Sequence, residues 1–332
     1  MKVLFYGVRE VEVPLFHELN KKFGYDLELI PDYLNSKETA EKAKGFECVV
    51  LRGNCFATKE VLDMYKEYGV KYLLTRTVGT NHIDVKYAKE LGFKLAYVPF
   101  YSPNAIAELA VTHAMTLLRN IGHIRAAQFK GDFTWNKDLI SKEIRSCTVG
   151  IIGTGRIGLT AATLFKGLGA KVIGFDEFRN PGADGILEYR DTVEALLEEA
   201  DVVSLHLPLT DGTYHMINKD RIKHMKDHAI LVNTGRGGLV NIDDVVEALE
   251  SGKIKGAALD VLECETLYVN QKIDPKKIEG TVVETLMGMD NVVLTGHFAF
   301  FTETAVDNMV STALDNLKVE IETGKVQNCM NA

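Results

Sequence analysis

The chain has 332 residues, of which 46% are hydrophobic and 25% charged, a balance typical of globular proteins with a packed core. Its formal net charge of −8 and its pI near 5.7 argue against nucleic acid or an anionic membrane as a partner, since both call for basic patches. The length favours two domains over one.

The first hundred residues alternate between strand-like and helix-like segments, the pattern of an α/β fold. Five apolar runs predict strands: KVLFYG, DLELI, CVVLRG, YLLTRTVG and KLAYVP. Amphipathic segments between them, such as TKEVLDMYKEYG, predict helices. Near residue 100 the pattern changes, and SPNAIAELAVTHAMTLLRN predicts a long helix with Ser102 as its cap and Pro103 at its first position.

Residues 149–158, reading VGIIGTGRIG, join an apolar run to three glycines at the spacing G-x-G-x-x-G. Gly153 permits a tight turn, Gly155 lets the backbone approach a pyrophosphate, and Gly158 lets the next helix pack closely. LTAATLFKGLGA predicts that helix, ending at 169, and KVIGFD predicts a second strand that ends in Asp176. Its carboxylate can accept hydrogen bonds from an adenosine ribose and would repel a 2′-phosphate, so NAD is favoured over NADP.

The later apolar runs predict a second, doubly wound sheet: TVGIIG, KVIGF, VVSLHLP, AILVNTG, GAALDV and NVVLTGH. The final TETAVDNMVSTALDNLKVEIETGK predicts a helix that returns to the first domain. We therefore expect two Rossmann-like domains. The first is a discontinuous, flavodoxin-like substrate domain over residues 1–100 and 298–332, and the second is an NAD-binding domain over residues 101–297.

Three polar residues follow the later strands, at the edge where open α/β sheets hold their sites. Arg236 stands between glycines in NTGRGG, where a forked cation suits a carboxylate or a polarised carbonyl; the alternative is a surface arginine on a turn. His297 suits proton donation because histidine changes charge near neutral pH; the alternative is a structural histidine. Glu265 can hydrogen-bond that imidazole and favour its charged form, or be a solvated loop carboxylate.

The five cysteines form no C-x-x-C pair, and their odd number does not suggest a disulfide framework. The apolar run at the N-terminus is too short for a signal peptide, and no run of about 18 apolar residues predicts a membrane helix. The sequence also shows no H-E-x-x-H motif or cluster of metal ligands. We therefore expect a cytoplasmic protein with free thiols, no metal, and no nucleic-acid or membrane partner.

Five ordered motifs resemble those of the D-2-hydroxyacid dehydrogenase family: VGIIGTGRIG, SLHLPLT, LVNTGRGGLV, GAALDVLECE and the histidine-bearing TGH. The resemblance covers nearly the whole chain and looks closest to the D-lactate and D-2-hydroxyisocaproate group, whose members carry a segment similar to YSPNAIAELA. It implies the reversible, NAD-dependent reduction of a 2-oxo acid to the (R)-2-hydroxy acid. The resemblance also implies that Arg236 binds and polarises the 2-oxo acid, that His297 is the acid/base, and that Glu265 orients His297.

The same resemblance implies binding residues and an assembly. The amides of Val78 and Gly79 in RTVGTN would meet the substrate carboxylate, and Tyr101 would face the substrate. Relatives are usually dimeric through the segment that corresponds to residues 121–144, which contains Trp135, so we expect a homodimer. The implied cofactor positions are Gly153, Gly155, Arg156, Ile157, Gly158, Asp176, Leu207, Pro208, Thr213, Thr234, Arg236 and Asp260.

Arg52, at the end of CVVLRG, departs from the lactate-type members, which by this resemblance carry uncharged residues there. The same edge of the first domain supplies the Val78–Gly79 loop, so Arg52 can point toward the far end of the substrate, where a second carboxylate would pair with it. The alternative is a salt bridge to an acidic residue of the first domain. We expect 2-oxoglutarate as the substrate, as in an (R)-2-hydroxyglutarate dehydrogenase, with D-lactate or D-2-hydroxyisocaproate dehydrogenase as the alternatives.

A non-enzymatic function stays open, because the same fold serves NAD-sensing binding proteins of the corepressor type. Those proteins typically add long termini with partner motifs, and phosphoglycerate-type dehydrogenases usually add a regulatory domain. Neither addition is predicted from this sequence, and we expect an enzyme.

Overall fold

The computed structural model describes residues 1–330. The chain forms two compact units. The first unit comprises Met1–Ser102 and the chain from Phe301 onward, and the second comprises Pro103–Phe300. Each unit has its own parallel sheet. No helix within the described residues is long and apolar enough to cross a membrane.

Twelve strands and twelve α-helices make up the regular structure of the described residues. The strands are β1 Lys2–Phe5, β2 Asp26–Leu29, β3 Cys48–Leu51, β4 Tyr72–Thr75, β5 Lys94–Ala96, β6 Thr148–Ile152, β7 Lys171–Phe175, β8 Glu188–Tyr189, β9 Val202–Leu205, β10 Ala229–Asn233, β11 Ile254–Leu259 and β12 Val292–Leu294. The helices are α1 Val13–Asn20, α2 Lys37–Glu41, α3 Lys59–Glu67, α4 Val85–Glu90, α5 Pro103–Leu118, α6 Ile121–Phe129, α7 Arg156–Gly167, α8 Val193–Glu199, α9 Lys219–His224, α10 Ile242–Glu250, α11 Val282–Met287 and α12 Glu303–Thr323.

The sheet of the first unit has the strand order β2-β1-β3-β4-β5, which is the flavodoxin-like order. Its side chains alternate between two cores, because successive residues of a strand point to opposite faces. Leu4 packs with Leu62 of α3 on one face, and Phe5 packs with Leu314 of α12 on the other. The inner strands β1, β3 and β4 are therefore buried on both faces, as is typical of parallel sheets.

The sheet of the second unit has the order β12-β11-β10-β9-β6-β7-β8. The chain first runs outward from β6 to β8 and then returns to β9 on the other side of β6, so the sheet is doubly wound and reverses direction between β6 and β9. Helix α5 packs against α7 through small residues, Ala110 and Ala114 meeting Ala161 and Ala162 in one core. The predicted fold of two parallel-sheet domains is confirmed.

The structure differs from the predicted elements in detail. Strand β8 was not predicted, because its two residues are too short for a periodic signal. Helix α7 ends at Gly167, two residues before the predicted end. Helix α5 begins at Pro103, as predicted, since proline lacks the amide hydrogen that the first helical position does not use.

Candidate active site

The loop between β6 and α7 carries the three glycines of the dinucleotide motif. Gly153 has a φ of 94°, and a Cβ there would lie 2.7 Å from the backbone of His206. A Cβ on Gly158 would lie 1.9 Å from the carbonyl oxygen of Gly153, so the first turn of α7 packs directly on the loop. A Cβ on Gly155 would meet no atom of the described chain within 4 Å beyond its sequence neighbours. The space beside Gly155, at the N-terminus of α7, therefore suits a pyrophosphate.

Asp176 follows β7 and is hydrogen-bonded to the same loop. Its Oδ2 accepts a hydrogen bond from the Thr154 amide at 2.6 Å, and its Oδ1 accepts one from the Phe178 amide at 3.1 Å. The hydroxyls of Thr154 and Tyr189 lie 2.8 Å apart, which ties this loop to the unpredicted strand β8. The Asp176 carboxylate is thereby fixed at the strand end from which Rossmann folds contact the adenosine ribose.

The remaining predicted cofactor positions lie in the first turn of α7 and after β9 and β10. The Thr213 hydroxyl donates to the Pro208 carbonyl at 2.7 Å, which closes the loop after β9 on itself. The hydroxyl of Thr234 is buried and has no hydrogen-bond partner within residues 1–330, so a bound polar group can satisfy it. These positions are Arg156 and Ile157 in α7, Leu207, Pro208 and Thr213 after β9, and Thr234 after β10.

His206 also follows β9 and is not among the residues predicted from the sequence. Its Nε2 lies 2.9 Å from the Ser204 hydroxyl, and burial lowers the pKa of His206 to about 4. The imidazole is therefore neutral at neutral pH, and its backbone closely approaches Gly153. Its only signal in the sequence is its place at the end of a strand, in SLHLPLT.

Arg236 lies in a tight loop after β10, with its side chain exposed. The side chain of buried Asn233 donates to the Arg236 carbonyl at 2.9 Å and accepts from the Gly235 amide at 3.0 Å, so it fixes the loop from both sides. A Cβ on Gly237 would lie 2.2 Å from the carbonyl carbon of Leu262. The glycine after Arg236 thus allows the loop to pack on the next segment.

Asp260 follows β11, the strand beside β10, and is 1% exposed. Its Oδ1 accepts from the Thr295 hydroxyl at 2.5 Å and the Phe298 amide at 2.8 Å, and its Oδ2 accepts from the Ala299 amide at 3.0 Å. The Asp260 carbonyl also accepts from the His297 amide at 2.7 Å. Within this unit, Asp260 therefore fixes the loop that carries His297.

His297 and Glu265 lie in direct contact. The Nδ1 atom of His297 is 3.0 Å from Oε1 of Glu265, and the two side chains are 33% and 25% exposed. His297 has a φ of 59°, in the left-handed region that costs a non-glycine residue about 1–3 kcal/mol. Because Nδ1 is hydrogen-bonded to the Glu265 carboxylate, Nε2 is the nitrogen that can exchange a proton with a ligand.

In the first unit, Arg52 follows β3 and its Nη1 donates to the carbonyl of Gly7 at 3.2 Å. Gly7 lies just beyond β1, the neighbour of β3 in the sheet. Nη2 of Arg76, which follows β4, donates to the same carbonyl at 2.9 Å. In flavodoxin-like sheets the strand order reverses between β1 and β3, and ligands bind beside this point.

Arg76 and Glu12 form a buried ion pair that the sequence did not reveal. Two nitrogen–oxygen contacts of 3.1 Å join the side chains, each of which is 1% exposed. Arg9 also donates to Glu12, at 2.9 Å. Burial alone would raise the pKa of Glu12, but the guanidiniums of Arg76 and Arg9 outweigh it and lower that pKa. Arg9, Arg52 and Arg76 thus lie around Glu12 and Gly7 at the carboxyl ends of adjacent strands.

The Val78–Gly79 loop follows β4, the strand beside β3. Val78 is 41% exposed, and the Thr77 hydroxyl donates to the Gly79 carbonyl at 2.7 Å. The loop and Arg52 therefore lie at neighbouring strand ends. Tyr101 is partly buried, and its carbonyl accepts from the Asn308 side chain of α12 at 2.5 Å.

The second unit thus combines, at one sheet edge, a glycine loop suited to phosphates, an exposed guanidinium and a histidine–carboxylate pair. This arrangement suits proton transfer to a substrate beside a bound dinucleotide. Among residues 1–330, no group of three or more His, Cys, Asp or Glu side chains is placed to hold a metal ion.

Comparison with known proteins decides the family. Residues 111–299 match the family model described as the NAD binding domain of D-isomer specific 2-hydroxyacid dehydrogenases. The chain belongs to this family. The matched segment contains the glycine loop, Arg236, Glu265 and His297.

Relatives from this dehydrogenase family match the chain along its whole length. A D-2-hydroxyacid dehydrogenase (NAD(+)) from Clostridioides difficile is 44% identical over 333 residues, with 100% of both chains covered. A D-lactate dehydrogenase from Lactiplantibacillus plantarum is 43% identical, with 98% of both chains covered. The crystal structure of a D-lactate dehydrogenase with NAD+ from Lactobacillus jensenii is 38% identical, has a TM-score of 0.91 and covers 100% of both chains.

The chain is an NAD-dependent oxidoreductase of the D-2-hydroxyacid dehydrogenase family, and the predicted cofactor is confirmed. The residues present fit this cofactor. The space beside Gly155 can hold a pyrophosphate, the Thr234 hydroxyl lacks a partner among the described residues, and the Asp176 carboxylate lies next to the glycine loop.

Proposed function

We propose that this dehydrogenase reduces 2-oxoglutarate to (R)-2-hydroxyglutarate, reversibly and with NADH. The observation that carries the proposal is the position of Arg52 in the first unit, one strand away from the Val78–Gly79 loop. Two anion-binding groups at neighbouring strand ends match a substrate with two carboxylates. The loop amides bind the carboxylate next to the reacting carbon, and Arg52 binds the distal one.

Electrostatics favour this role for Arg52. Its guanidinium and that of Arg76 both donate to the Gly7 carbonyl, at 3.2 and 2.9 Å, so two like charges lie close together at this sheet edge. A guanidinium has a forked set of donors that suits bidentate contact with a carboxylate. The contact with the Gly7 carbonyl holds this fork at the end of β3, so less side-chain entropy is lost when an anion binds.

Three residues of the second unit perform the chemistry in this proposal. Arg236 binds and polarises the 2-oxo group, and Nε2 of His297 donates a proton to the oxygen as it gains negative charge. Glu265 holds Nδ1, which sets the orientation of the ring and stabilises its protonated form. Tyr101 faces the substrate.

Bound NADH supplies the hydride that is added to C2 of the substrate. The chain holds the cofactor through the glycine loop and the first turn of α7, and Asp176 accepts hydrogen bonds from the ribose hydroxyls. The further contacts proposed for the cofactor come from Arg156, Ile157, Leu207, Pro208, Thr213, Thr234, Arg236 and Asp260.

D-lactate dehydrogenase is the second candidate function, because the L. plantarum relative at 43% identity carries that name. A D-2-hydroxyisocaproate dehydrogenase is the remaining alternative. These functions differ from the first in the distal end of the substrate, which is apolar in pyruvate and 2-oxoisocaproate and charged in 2-oxoglutarate.

The test is a panel of 2-oxo acids assayed with NADH in the wild-type protein and in Arg52→Ala. A hydrogen bond to a charged group contributes about 1.5–3 kcal/mol. We expect Arg52→Ala to lower kcat/KM with 2-oxoglutarate by about 10- to 100-fold, mostly through a higher KM, because the contact lies far from the reacting bond. Activity with 2-oxobutyrate, which has no distal carboxylate, should not fall.

Arg52→Lys is the matched control, since it keeps the charge and loses the fork, and its loss should be smaller than that of Arg52→Ala. An equal fall with 2-oxoglutarate and 2-oxobutyrate in Arg52→Ala would assign Arg52 a structural role. A wild-type preference for pyruvate would favour the D-lactate function.

We further infer a homodimer formed through residues 121–144. Five large apolar side chains are exposed in this segment: Ile121, Phe129, Phe133, Trp135 and Ile140. Trp135 is 100% exposed, which is unusual for so large an apolar residue and marks an interaction surface. Sedimentation should give twice the chain mass of 36.8 kDa, and Trp135→Asp should shift the protein toward the monomer. A monomeric wild type would contradict the inference.

We also infer that the protein works in the reducing cytoplasm. All five cysteines are free thiols, and three of them, Cys48, Cys55 and Cys147, are buried. Fractionation of the source cells should recover the protein with the cytoplasmic enzymes.

A further inference from the structure

The loop that follows β4 is shaped by side-chain hydroxyls. The Thr77 hydroxyl donates to the Gly79 carbonyl at 2.7 Å. This contact closes a ring that encloses the two peptide units carrying the Val78 and Gly79 amides, and both peptides are planar and trans. The directions of these two amides therefore depend on the Thr77 hydroxyl.

The hydroxyl of Thr77 is linked in turn to two more residues. It lies 2.7 Å from the hydroxyl of Thr75, which is fully buried at the end of β4. The Thr75 hydroxyl lies 3.2 Å from Nε2 of His82. His82, Thr75, Thr77 and Gly79 thus form one continuous series of hydrogen bonds, which we call the His82 relay.

The number of hydrogens decides the direction of the relay. A threonine hydroxyl has a single hydrogen. If that of Thr77 pointed at Thr75, two oxygen atoms without a hydrogen between them would face each other at 2.7 Å in the Thr77–Gly79 contact. Thr77 therefore donates to Gly79, Thr75 donates to Thr77, and Nε2 of His82 must carry the hydrogen that Thr75 accepts. The Thr75 hydroxyl shares the same hydrogen with the Leu51 carbonyl in a longer and weaker contact of 3.3 Å.

His82 is held as a fixed anchor for this series. Its carbonyl accepts from the Ala57 amide at 2.9 Å, where residues 57 and 83 form a parallel bridge. Burial lowers the pKa of His82 to about 4, so the ring is neutral at neutral pH and has one N–H. The relay places that hydrogen on Nε2.

The geometry points to His82 as a positioning residue for substrate binding, which acts through Thr75 and Thr77 to hold the Val78–Gly79 loop in the conformation that binds the substrate carboxylate. This role rests on the proposed function, in which the amides of that loop bind the carboxylate beside the reacting carbon. Because the carboxylate does not react, the relay should affect substrate binding and transition-state binding alike.

The first test compares variants that break the relay with variants that keep it. Thr77→Val removes the hydroxyl at nearly constant volume, and Thr77→Ser keeps it. We expect Thr77→Val to raise KM for the preferred 2-oxo acid by about 3- to 10-fold, the effect of one hydrogen bond, with kcat within about twofold of wild type. Thr77→Ser should keep the wild-type KM, and NADH affinity, followed by fluorescence, should be unchanged in both variants.

His82→Phe should raise KM as Thr77→Val does, and the double variant should be no worse than either single variant, because both substitutions break the same series. Unchanged KM in both single variants of an active protein would overturn the role of His82 and leave the proposed function intact. A wild-type protein that reduces no 2-oxo acid would overturn both. The two failures are therefore distinguishable.

A second measurement, made first on the wild-type protein, does not depend on activity. In the wild-type protein, ¹⁵N NMR of the imidazole should show His82 with its hydrogen on Nε2 at neutral pH. Thr75→Val should change the ¹⁵N shift of that nitrogen, since its acceptor is removed. A His82 ring with its hydrogen on Nδ1 would overturn the relay.

Discussion

The two units are both built on parallel sheets and both hold their candidate functional residues beyond the carboxyl ends of the strands, but by different means. In the second unit, glycines let the backbone approach a ligand and neighbouring segments, and His297 and Glu265 remain partly exposed. In the first unit, the groups behind the candidate substrate-binding residues are buried and bonded to each other, as in the Arg76–Glu12 pair and the His82 relay.

The difference fits the ligand that the proposed function assigns to each unit. A dinucleotide offers phosphates and ribose hydroxyls, which backbone amides and one carboxylate can bind. A small acid offers few contacts, and its recognition requires side chains fixed in place before it binds. Variants in the second unit should therefore change the chemistry or the cofactor, whereas variants in the first should change stability or substrate affinity.

The largest expected effect is that of His297→Gln. A neutral amide cannot donate and recover a proton, and general acid–base catalysis contributes roughly 10²- to 10⁴-fold to the rate. We expect kcat to fall by that factor while the NADH dissociation constant stays within about threefold of wild type. His224→Gln is the control, because His224 is a surface histidine bonded to Glu198 at 2.9 Å, and it should leave kcat unchanged. A kcat above one-tenth of wild type in His297→Gln would remove His297 from the acid/base role.

Glu12→Gln should give the largest loss of stability. It leaves the buried Arg76 guanidinium without its carboxylate, a change that costs about 3–5 kcal/mol of unfolding free energy. Urea unfolding at pH 7 measures this loss. Glu47→Gln is the control, since the pair of Glu47 with Lys71 is exposed and should contribute little to stability.

The Glu12 pair also predicts a pH dependence. The pKa of Glu12 is lowered in the folded protein, so its stabilisation is present at neutral pH and is lost as the pH falls through the folded pKa. The free energy of unfolding of wild type should therefore approach that of Glu12→Gln in acid. A constant difference between the two proteins down to pH 3 would contradict this account.

Asp176→Ser should change the choice of cofactor by a smaller factor. Loss of the carboxylate removes hydrogen bonds to the ribose and the repulsion of a 2′-phosphate, and each such contact contributes about 1.5–3 kcal/mol. We expect kcat/KM for NADH to fall by about tenfold and the ratio of NADPH to NADH efficiency to rise. Equal use of both cofactors by the wild-type protein would refute the role of Asp176.

Glu265→Gln should have the smallest effect and act on the pH profile. The imidazole of His297 loses its anionic partner at 3.0 Å, so the pH optimum of 2-oxo acid reduction should move to lower pH. An unchanged optimum would remove Glu265 from the pair.

Much of the second unit could be predicted from the sequence, because its signals are local. The glycine motif, its helix and Asp176 belong to one βαβ segment, and their spacing alone indicates the cofactor. Arg236 and His297 could be selected because parallel strands end at the same edge of a sheet. Strand β8 could not be predicted, since its two residues carry no periodicity and its pairing with β7 is not a local property.

The tertiary structure alone decided the contacts that hold these residues. Glu12 and Arg76 are 64 positions apart, and neither residue type signals a buried pair in a sequence. The need for glycine at position 237 follows from the backbone of Leu262, which only the packed loops bring within 2.2 Å of a Cβ. The sequence by itself determined which residues follow the strands, because hydrophobic alternation and motif spacing involve residues that are close in the chain. The contact partners of those residues depend on packing between distant segments, which no local pattern specifies.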